Sequence, residues 1–314
     1  MKGKSCKISK SSFNRRLYHS SSNNEKLLGH YLAGLIEGDG SLIVPKTVRN
    51  QKGRMLSPVV KITFVEKDAP LAKKIKEVLN GGSLVYPKNS NYLDLLFQDL
   101  NSTRKMAVLL NGKMRTPKIE ALHRLIDFFN ARLNEKPKMI KLGLDNSPMG
   151  NNPWLAGFLE ADGNFYCGLG LNSEGITKGV KSYMRVSQKQ SYKNTSYISE
   201  ENNSNFLIME KIREYLDVKT VTKINRTKEK YVELSYEVRT NKKTSCDLLI
   251  KYLSVYPLFS SKHLDFLDWR EFHRIRLSRE YLTIEGTSKL IYLKNSMNTK
   301  RTQFNWDSLN NFYC

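Results

Sequence analysis

The chain has 314 residues, of which 39% are hydrophobic, so it can build one large or two modest domains and is not a disordered polymer. It contains no apolar run of the roughly 18 residues that a membrane helix needs, and its four cysteines stand far apart without a CxxC pair, which argues against zinc sites and disulfides. A formal net charge of +22 predicts a polyanionic partner, most simply nucleic acid; an acidic membrane surface and general solubility are the alternatives.

Residues 1–25 are rich in Lys, Arg and Ser and contain a single acid. This composition is typical of a mitochondrial presequence and also of a basic, disordered tail. Apolar positions are too few for an amphipathic helix, which favours the tail.

Residues 26–133 predict a first repeat with the order α-β-β-α-β-β-α. Apolar residues at helical spacing predict a helix over Lys26–Asp39, followed by the strands "SLIVPKTVRN" and "SPVVKITFVEK". Next comes a helix over "DAPLAKKIKEVLNGG", with Asp68 as its expected N-cap and Gly81 and Gly82 as its stop. The strands "SLVYPK" and "NYLDLLFQ" and the helices "STRKMAVLLNG" and "TPKIEALHRLIDFFNARL" complete the repeat.

Residues 134–151 have the Pro, Gly and Asn content of a linker, and residues 152–275 repeat the same order of elements. The second repeat is predicted to contain the strands "GNFYCGLGL" and "KSYMRVSQKQ" and a hairpin that turns near Thr227–Lys230. Residues 276–314 are assigned to a C-terminal tail. The fold class is therefore α+β, with two pseudo-symmetric αββαββα repeats.

One string occurs at the start of both repeats, as "LAGLIEGDG" from Leu32 and "LAGFLEADG" from Leu155. Small residues four apart, Gly34 and Gly38 in the first copy, allow two helix backbones to approach closely. The matching small positions of the second copy predict that the two motif helices pack on each other about a pseudo-twofold axis. Two separate helices with scattered glycines are the alternative.

Each motif helix ends in an aspartate, Asp39 or Asp162, followed by a glycine. A carboxylate at this end faces the negative pole of the helix dipole, and two of them at paired helix ends repel each other. A divalent cation between them would remove the conflict, and carboxylate oxygens with phosphate oxygens as further ligands favour Mg²⁺. In a basic protein this arrangement predicts metal-assisted phosphodiester hydrolysis.

The two strings resemble the LAGLIDADG motif of homing endonucleases, and the similarity extends over roughly Leu27–Leu309. The resemblance implies β-sheets that form a saddle on the DNA major groove, paired motif helices at the interface, and Mg²⁺ held by Asp39 and Asp162 with help from the carbonyls of Gly38 and Ala161. Glu37 and Glu160 replace the first acid of the usual motif.

Further site residues follow from the resemblance. Lys262 resembles the lysine before the last helix of the family, and Lys118 is its first-repeat counterpart; an ordinary lysine at a helix start is the alternative for each. Gln188 resembles a polar residue that holds the water network. Its expected counterpart, Glu66, differs in charge, which predicts two unequal active sites.

The residues that contact DNA are expected on the strands. In the first repeat, alternation predicts that Thr47 and Arg49 point the same way after Gly40 and that Lys61 and Thr63 share a face of the next strand. In the second repeat the candidates are basic residues of the strands: Arg185, Lys223, Arg226, Lys228 and Arg239.

The leading hypothesis is a monomeric, site-specific endonuclease that cuts double-stranded DNA, with no membrane association. The first alternative is an RNA maturase that binds its host intron RNA and assists splicing, with or without cleavage. A third hypothesis is a DNA-binding protein without catalysis. The segment Leu282–Trp306 also resembles members encoded in organelle introns, which predicts a mitochondrial or other organellar location.

Overall fold

The computed structural model describes residues 23–132, 137–175, 177–192, 203–229 and 231–313. The predicted N-terminal tail lies almost wholly outside these residues, as does the start of the predicted linker. The described chain divides into two compact units. The first comprises the residues up to Ala161 and the stretch 309–313, and the second comprises Asp162–Ser308.

The first unit follows the predicted order. Its elements are α1 (Asn23–Asp39), β1 (Gly40–Ile43), β2 (Val59–Val65), α2 (Ala69–Leu79), β3 (Ser83–Val85), β4 (Tyr92–Phe97), α3 (Leu100–Leu110), α4 (Ile119–Arg132) and α5 (Trp154–Asp162). Helix α5 carries the second motif, and all but its last residue belong to this unit.

The second unit repeats the order after α5. Its elements are β5 (Gly163–Leu171), β6 (Thr177–Lys189), α6 (Phe206–Tyr215), β7 (Thr222–Lys228), β8 (Tyr231–Arg239), α7 (Lys243–Val255), α8 (Lys262–Ser278) and α9 (Ile284–Asn295).

Each unit contains one four-stranded antiparallel sheet, with the order β1-β2-β4-β3 in the first and β5-β6-β8-β7 in the second. Both sheets have one core-facing side, as the alternation of apolar residues predicts. In β2 the residues Val60, Ile62 and Phe64 are buried, and in the second unit Trp269 and Phe272 of α8 are fully buried. The predicted pair of αββαββα repeats is confirmed.

Several details differ from the prediction. Strand β1 ends at Ile43 because Pro45 has no N–H to donate to a strand ladder. Asp68 does not cap α2 through its side chain, and the helix stops at Asn80, whose φ of 47° is left-handed.

The predicted C-terminal tail is folded. Its helix α9 buries Leu290 and Leu293, and Arg301 forms ion pairs with Asp265 and Asp268 of α8 at 2.9 and 2.6 Å. The final residues pack elsewhere: the ring of Phe312 lies edge-on to Tyr31 of α1, with ring centroids 5.7 Å apart.

Candidate active site and nucleic-acid interface

The two motif helices meet at their central glycines. A Cβ placed on Gly34 would lie 2.0 Å from the carbonyl oxygen of Trp154, and a Cβ placed on Gly157 would lie 1.9 Å from that of Tyr31. Each carbonyl belongs to the residue three positions before the opposite glycine, so the contact is reciprocal. The predicted packing of α1 on α5 through small residues is confirmed.

Lys118 lies at the carboxyl end of α1. Its ammonium group donates to the carbonyl oxygens of Ile36 and Gly40 at 2.9 Å each and contacts that of Gly38 at 3.5 Å. The last carbonyls of a helix have no partner within the helix, and a cation there also complements the dipole. The structure therefore brings the sequence-predicted Lys118 to the helix end that carries Asp39, which is exposed.

Glu37 forms a buried anchor that the sequence analysis did not assign. Its carboxylate accepts hydrogen bonds from the backbone N–H groups of Arg115 and Thr116, from the Thr116 hydroxyl at 2.6 Å, and from the indole N–H of Trp154. Burial raises the pKa of Glu37, and these hydrogen bonds act in the opposite direction. Glu37 thus ties α1 both to α5 and to the segment that precedes Lys118.

Glu160 of the second motif is also buried and accepts a hydrogen bond from the Tyr31 hydroxyl at 3.1 Å. Burial, together with the nearby charge of Glu160, raises the pKa of Tyr31 well above its ordinary value. In both motifs the glutamate therefore points into the protein two residues before the aspartate. In the sequence, the signal for this role is a single glutamate among the apolar residues of each motif, two positions before the aspartate.

In the second unit, Gln188 of β6 lies next to the motif aspartate and donates a hydrogen bond from its side-chain amide to Asp162. Lys262, the other predicted lysine, is the first residue of α8, just as Lys118 directly precedes α4.

The strand register does not support the expected match between Gln188 and Glu66. The motif glycines Gly40 and Gly163 pair with Ile62 and Val186, and two residues further along stand Phe64 and Gln188. Phe64 is therefore the positional counterpart of Gln188, and its side chain is buried. Glu66 lies beyond the end of β2, is exposed, and donates its backbone N–H to the carbonyl of Asn91.

The DNA-contact candidates of the first unit lie in two settings. Thr47 and Arg49 are outside β1, so their predicted alternation on a strand is wrong. The Thr47 hydroxyl donates to the carbonyl of Arg49, and the Arg49 guanidinium donates to the carbonyl of Gly53. Lys61 and Thr63 share the face of β2 opposite the core, as predicted.

The DNA-contact candidates of the second unit are spread over the three strands β6, β7 and β8. Arg185 on β6 stands directly opposite Arg239 on β8. On the edge strand β7, alternation separates Lys223 from Arg226 and Lys228, which lie on the other face. Lys228 forms an ion pair with Glu233 at 2.9 Å.

Three further features were sought among the described residues. Within them, no helix combines the length and apolar character that crossing a membrane requires. They contain no group of three His, Cys, Asp or Glu residues placed to hold a metal. Cys167 and Cys246, the described cysteines, are buried free thiols.

Comparison with known proteins places these features in a family. The sequence profile of the LAGLIDADG endonucleases matches residues 32–130 and 155–273, so each match begins at one of the two motifs. The chain is 31% identical to "Intron-encoded DNA endonuclease aI3" of Saccharomyces cerevisiae, over 96% of this chain and 80% of that protein.

A further relative and a solved structure are also similar to the chain. The chain is 28% identical to "Uncharacterized cox1 intron-2 37.2 kDa protein" of Schizosaccharomyces pombe, over 85% of this chain and 72% of that protein. Its fold is similar to that of the LAGLIDADG homing endonuclease I-SmaMI bound to cleaved DNA, with a TM-score of 0.62 and 18% identity over 87% of this chain and 98% of that one.

Proposed function

The chain belongs to the LAGLIDADG endonuclease family, and we propose that it is a site-specific endonuclease that cuts both strands of a long DNA target, with Asp39 and Asp162 as its catalytic acids. The observation that carries this proposal is the duplicated motif helix, each copy of which ends in an aspartate. An acid at this helix end is unfavourable unless a cation offsets its charge.

We propose Mg²⁺ as the cofactor, held by Asp39 and Asp162 with help from the carbonyls of Gly38 and Ala161. These groups offer only oxygen atoms, and Mg²⁺ typically takes one or two carboxylates and keeps water or phosphate oxygens as its other ligands. The Lys118 ammonium lies 3.5 Å from the carbonyl oxygen of Gly38, farther than from the carbonyl oxygens of Ile36 and Gly40 at 2.9 Å. When bound, the metal supplies positive charge at a phosphoryl oxygen and lowers the pKa of a water molecule.

The polar side chains around the aspartates have distinct proposed roles. Lys118, held on the carbonyls at the end of α1, fixes a positive charge where negative charge develops on the phosphate. Lys262 has the same role in the second repeat. Gln188 orients the Asp162 carboxylate through its hydrogen bond.

The substrate is proposed to lie on the sheet faces opposite the cores. Basic side chains there supply the phosphate contacts that fix the duplex and, in part, the contacts to bases in the major groove. Because the chain carries a net charge of +22, binding should weaken steeply as salt rises.

Cleavage of defined DNA tests the proposal. The substrate is a duplex that spans the intronless exon junction of the gene whose intron encodes the chain, incubated with Mg²⁺ or with Ca²⁺. Ca²⁺ has a larger, more flexible coordination shell, so we expect binding with Ca²⁺ and double-strand cleavage only with Mg²⁺.

The double variant Asp39→Asn, Asp162→Asn should bind this duplex and leave it intact. Asp127→Asn is the matched control, since Asp127 is an exposed aspartate paired with Lys141 on the surface of the first unit. Cleavage by the double variant at the rate of the control would refute the catalytic assignment.

One chain carries both motifs, so we propose that it acts as a monomer; sedimentation of the chain with its target should show one protein per duplex. We also propose a mitochondrial location. The support is the name of the S. pombe relative, which assigns that protein to a cox1 intron.

A further inference from the structure

A cluster of three residues lies on the outer face of the first sheet, which is the face opposite the core. It combines a basic side chain, a hydroxyl and an acidic side chain. Thr63 stands opposite Asp94 across β2 and β4, and its hydroxyl donates to the Asp94 carboxylate at 2.6 Å. The Lys61 ammonium lies 3.6 Å from the other oxygen of the same carboxylate. Asp94 therefore holds two of the residues that are candidates for DNA contact.

The outer face of the second sheet carries a similar cluster. Ser187 stands opposite Glu237 across β6 and β8 and donates its hydroxyl to that carboxylate at 3.3 Å. Arg239 donates to the Glu237 carboxylate, and Arg185 lies 4.0 Å from it. Glu237 is only 3% exposed, although its partners Arg185 and Arg239 reach the surface.

The two clusters occupy the same positions of the repeated sheet. Counted from the pairs Gly40–Ile62 and Gly163–Val186, Lys61 and Thr63 match Arg185 and Ser187. The pairs Ile62–Leu95 and Val186–Val238 then match Asp94 with Glu237. A basic side chain, a hydroxyl and an acidic side chain thus recur at matching positions. The residue types differ, because Lys, Thr and Asp in the first sheet correspond to Arg, Ser and Glu in the second.

An acid at this place requires an explanation. A carboxylate on the face that receives a polyanion reduces the attraction between protein and DNA. Arg185 and Arg239 stand directly opposite each other, and like charges in such a pair repel. Glu237 relieves this repulsion, and Arg239 is further fixed because its guanidinium lies 4.5 Å from the centre of the Tyr183 ring.

We propose that Asp94 and Glu237 are specificity-determining positioning residues, which fix Lys61, Arg185 and Arg239 on the outer sheet faces so that they read base edges in the major groove. The inference rests on the proposed function. Side chains that are already ordered lose less conformational entropy on binding, so the correct base pair is favoured over an incorrect one. A planar guanidinium held in place suits the two acceptors of guanine.

The test compares affinities of the full chain for two duplexes of equal length at one salt concentration, with Ca²⁺ present. One duplex carries the exon-junction site and the other a scrambled sequence. Glu237→Gln and Asp94→Asn should each weaken binding to the site about tenfold while affinity for the scrambled duplex stays equal or rises slightly, because a negative charge is removed.

Glu210→Gln is the matched control, since Glu210 pairs with Arg213 on α6 at 2.6 Å and should leave both affinities unchanged. Equal changes of both affinities in Glu237→Gln and Asp94→Asn would overturn the inference, because acids that only repel DNA would act on both duplexes alike. A wild-type chain that does not distinguish the duplexes would instead refute the proposed function.

Arg239→Lys covers the case in which Glu237→Gln fails to fold. This variant keeps the positive charge and loses the planar guanidinium with its paired N–H donors. The ratio of the affinities for the correct and an incorrect base pair should therefore fall about tenfold at a subset of positions. Discrimination equal to wild type at every base pair would contradict the proposal.

Discussion

The two motif helices are alike where they touch and different where they end. Gly34 and Gly157 meet equivalent backbone atoms of the opposite helix, so the contact is symmetric. At the ends, the side-chain amide of Gln188 on β6 donates to Asp162, whereas the matching position of β2 is the buried Phe64. Close backbone packing tolerates little change of residue, while the surroundings of the aspartates depend on side chains that can differ between repeats.

The largest effect is expected from the anchor that belongs to α1. Glu37→Ala leaves two backbone N–H groups, a hydroxyl and an indole N–H buried without their acceptor, which should lower the free energy of unfolding by about 4 kcal/mol. Glu37→Gln keeps one acceptor oxygen and should lose about half as much. Chemical denaturation measures both, and equal stability of the wild type and Glu37→Ala would contradict this account.

Alanine at either central glycine should cost nearly as much. A Cβ at Gly34 or Gly157 would clash with a backbone carbonyl at about 2 Å, and each substitution should lower the free energy of unfolding by about 3 kcal/mol. The symmetry of the contact predicts similar losses for the two variants. Gly143→Ala is the control because a Cβ there meets no atom within 4 Å; a loss confined to one of the two motif variants would break the symmetry.

The position of Lys118 at the end of α1 predicts a catalytic effect. Lys118→Ala should slow cleavage about 100-fold, which corresponds to about 2.7 kcal/mol, because a charge beside the phosphate is lost. Stability should fall by less than about 1 kcal/mol. Lys113→Ala is the control, since the Lys113 ammonium likewise donates to a helix carbonyl, that of Leu109; it should cleave at the wild-type rate. Equal slowing of both variants would assign Lys118 a structural role only.

The smallest effect is a pH dependence of stability, which comes from a histidine on α1 that has no counterpart at the matching position before α5. Burial lowers the pKa of His30 on α1 to about 4, whereas the matching position before Gly157 is Pro153. Between pH 6.5 and about 4 the unfolded chain binds a proton at His30 that the folded chain does not, so stability falls as pH falls through this window. His30→Gln should reduce that slope in denaturation curves measured at several pH values. An unchanged slope would show that His30 contributes nothing to it.

Much of this structure could be predicted because the motif repeats. The repeated string predicted the glycine contact, and the apolar patterns and turn residues along the chain predicted the order of elements. The prediction misses the end of β1 because it extends the strand through Pro45 to Thr47 and Arg49. The anchoring role of Glu37 depends on donors from Arg115 and Trp154 that are far away in sequence, and the counterpart of Gln188 depends on strand register, which residue spacing does not give.

Strand-resolved cleavage tests the central claim most directly, which is that each repeat contributes one essential aspartate. The duplex is labelled differently on its two strands and incubated with Mg²⁺ and either Asp39→Asn or Asp162→Asn. We predict that neither single variant produces double-strand breaks, and that any residual nicking differs between the two variants. Cleavage of both strands at the wild-type rate by either variant would contradict the account.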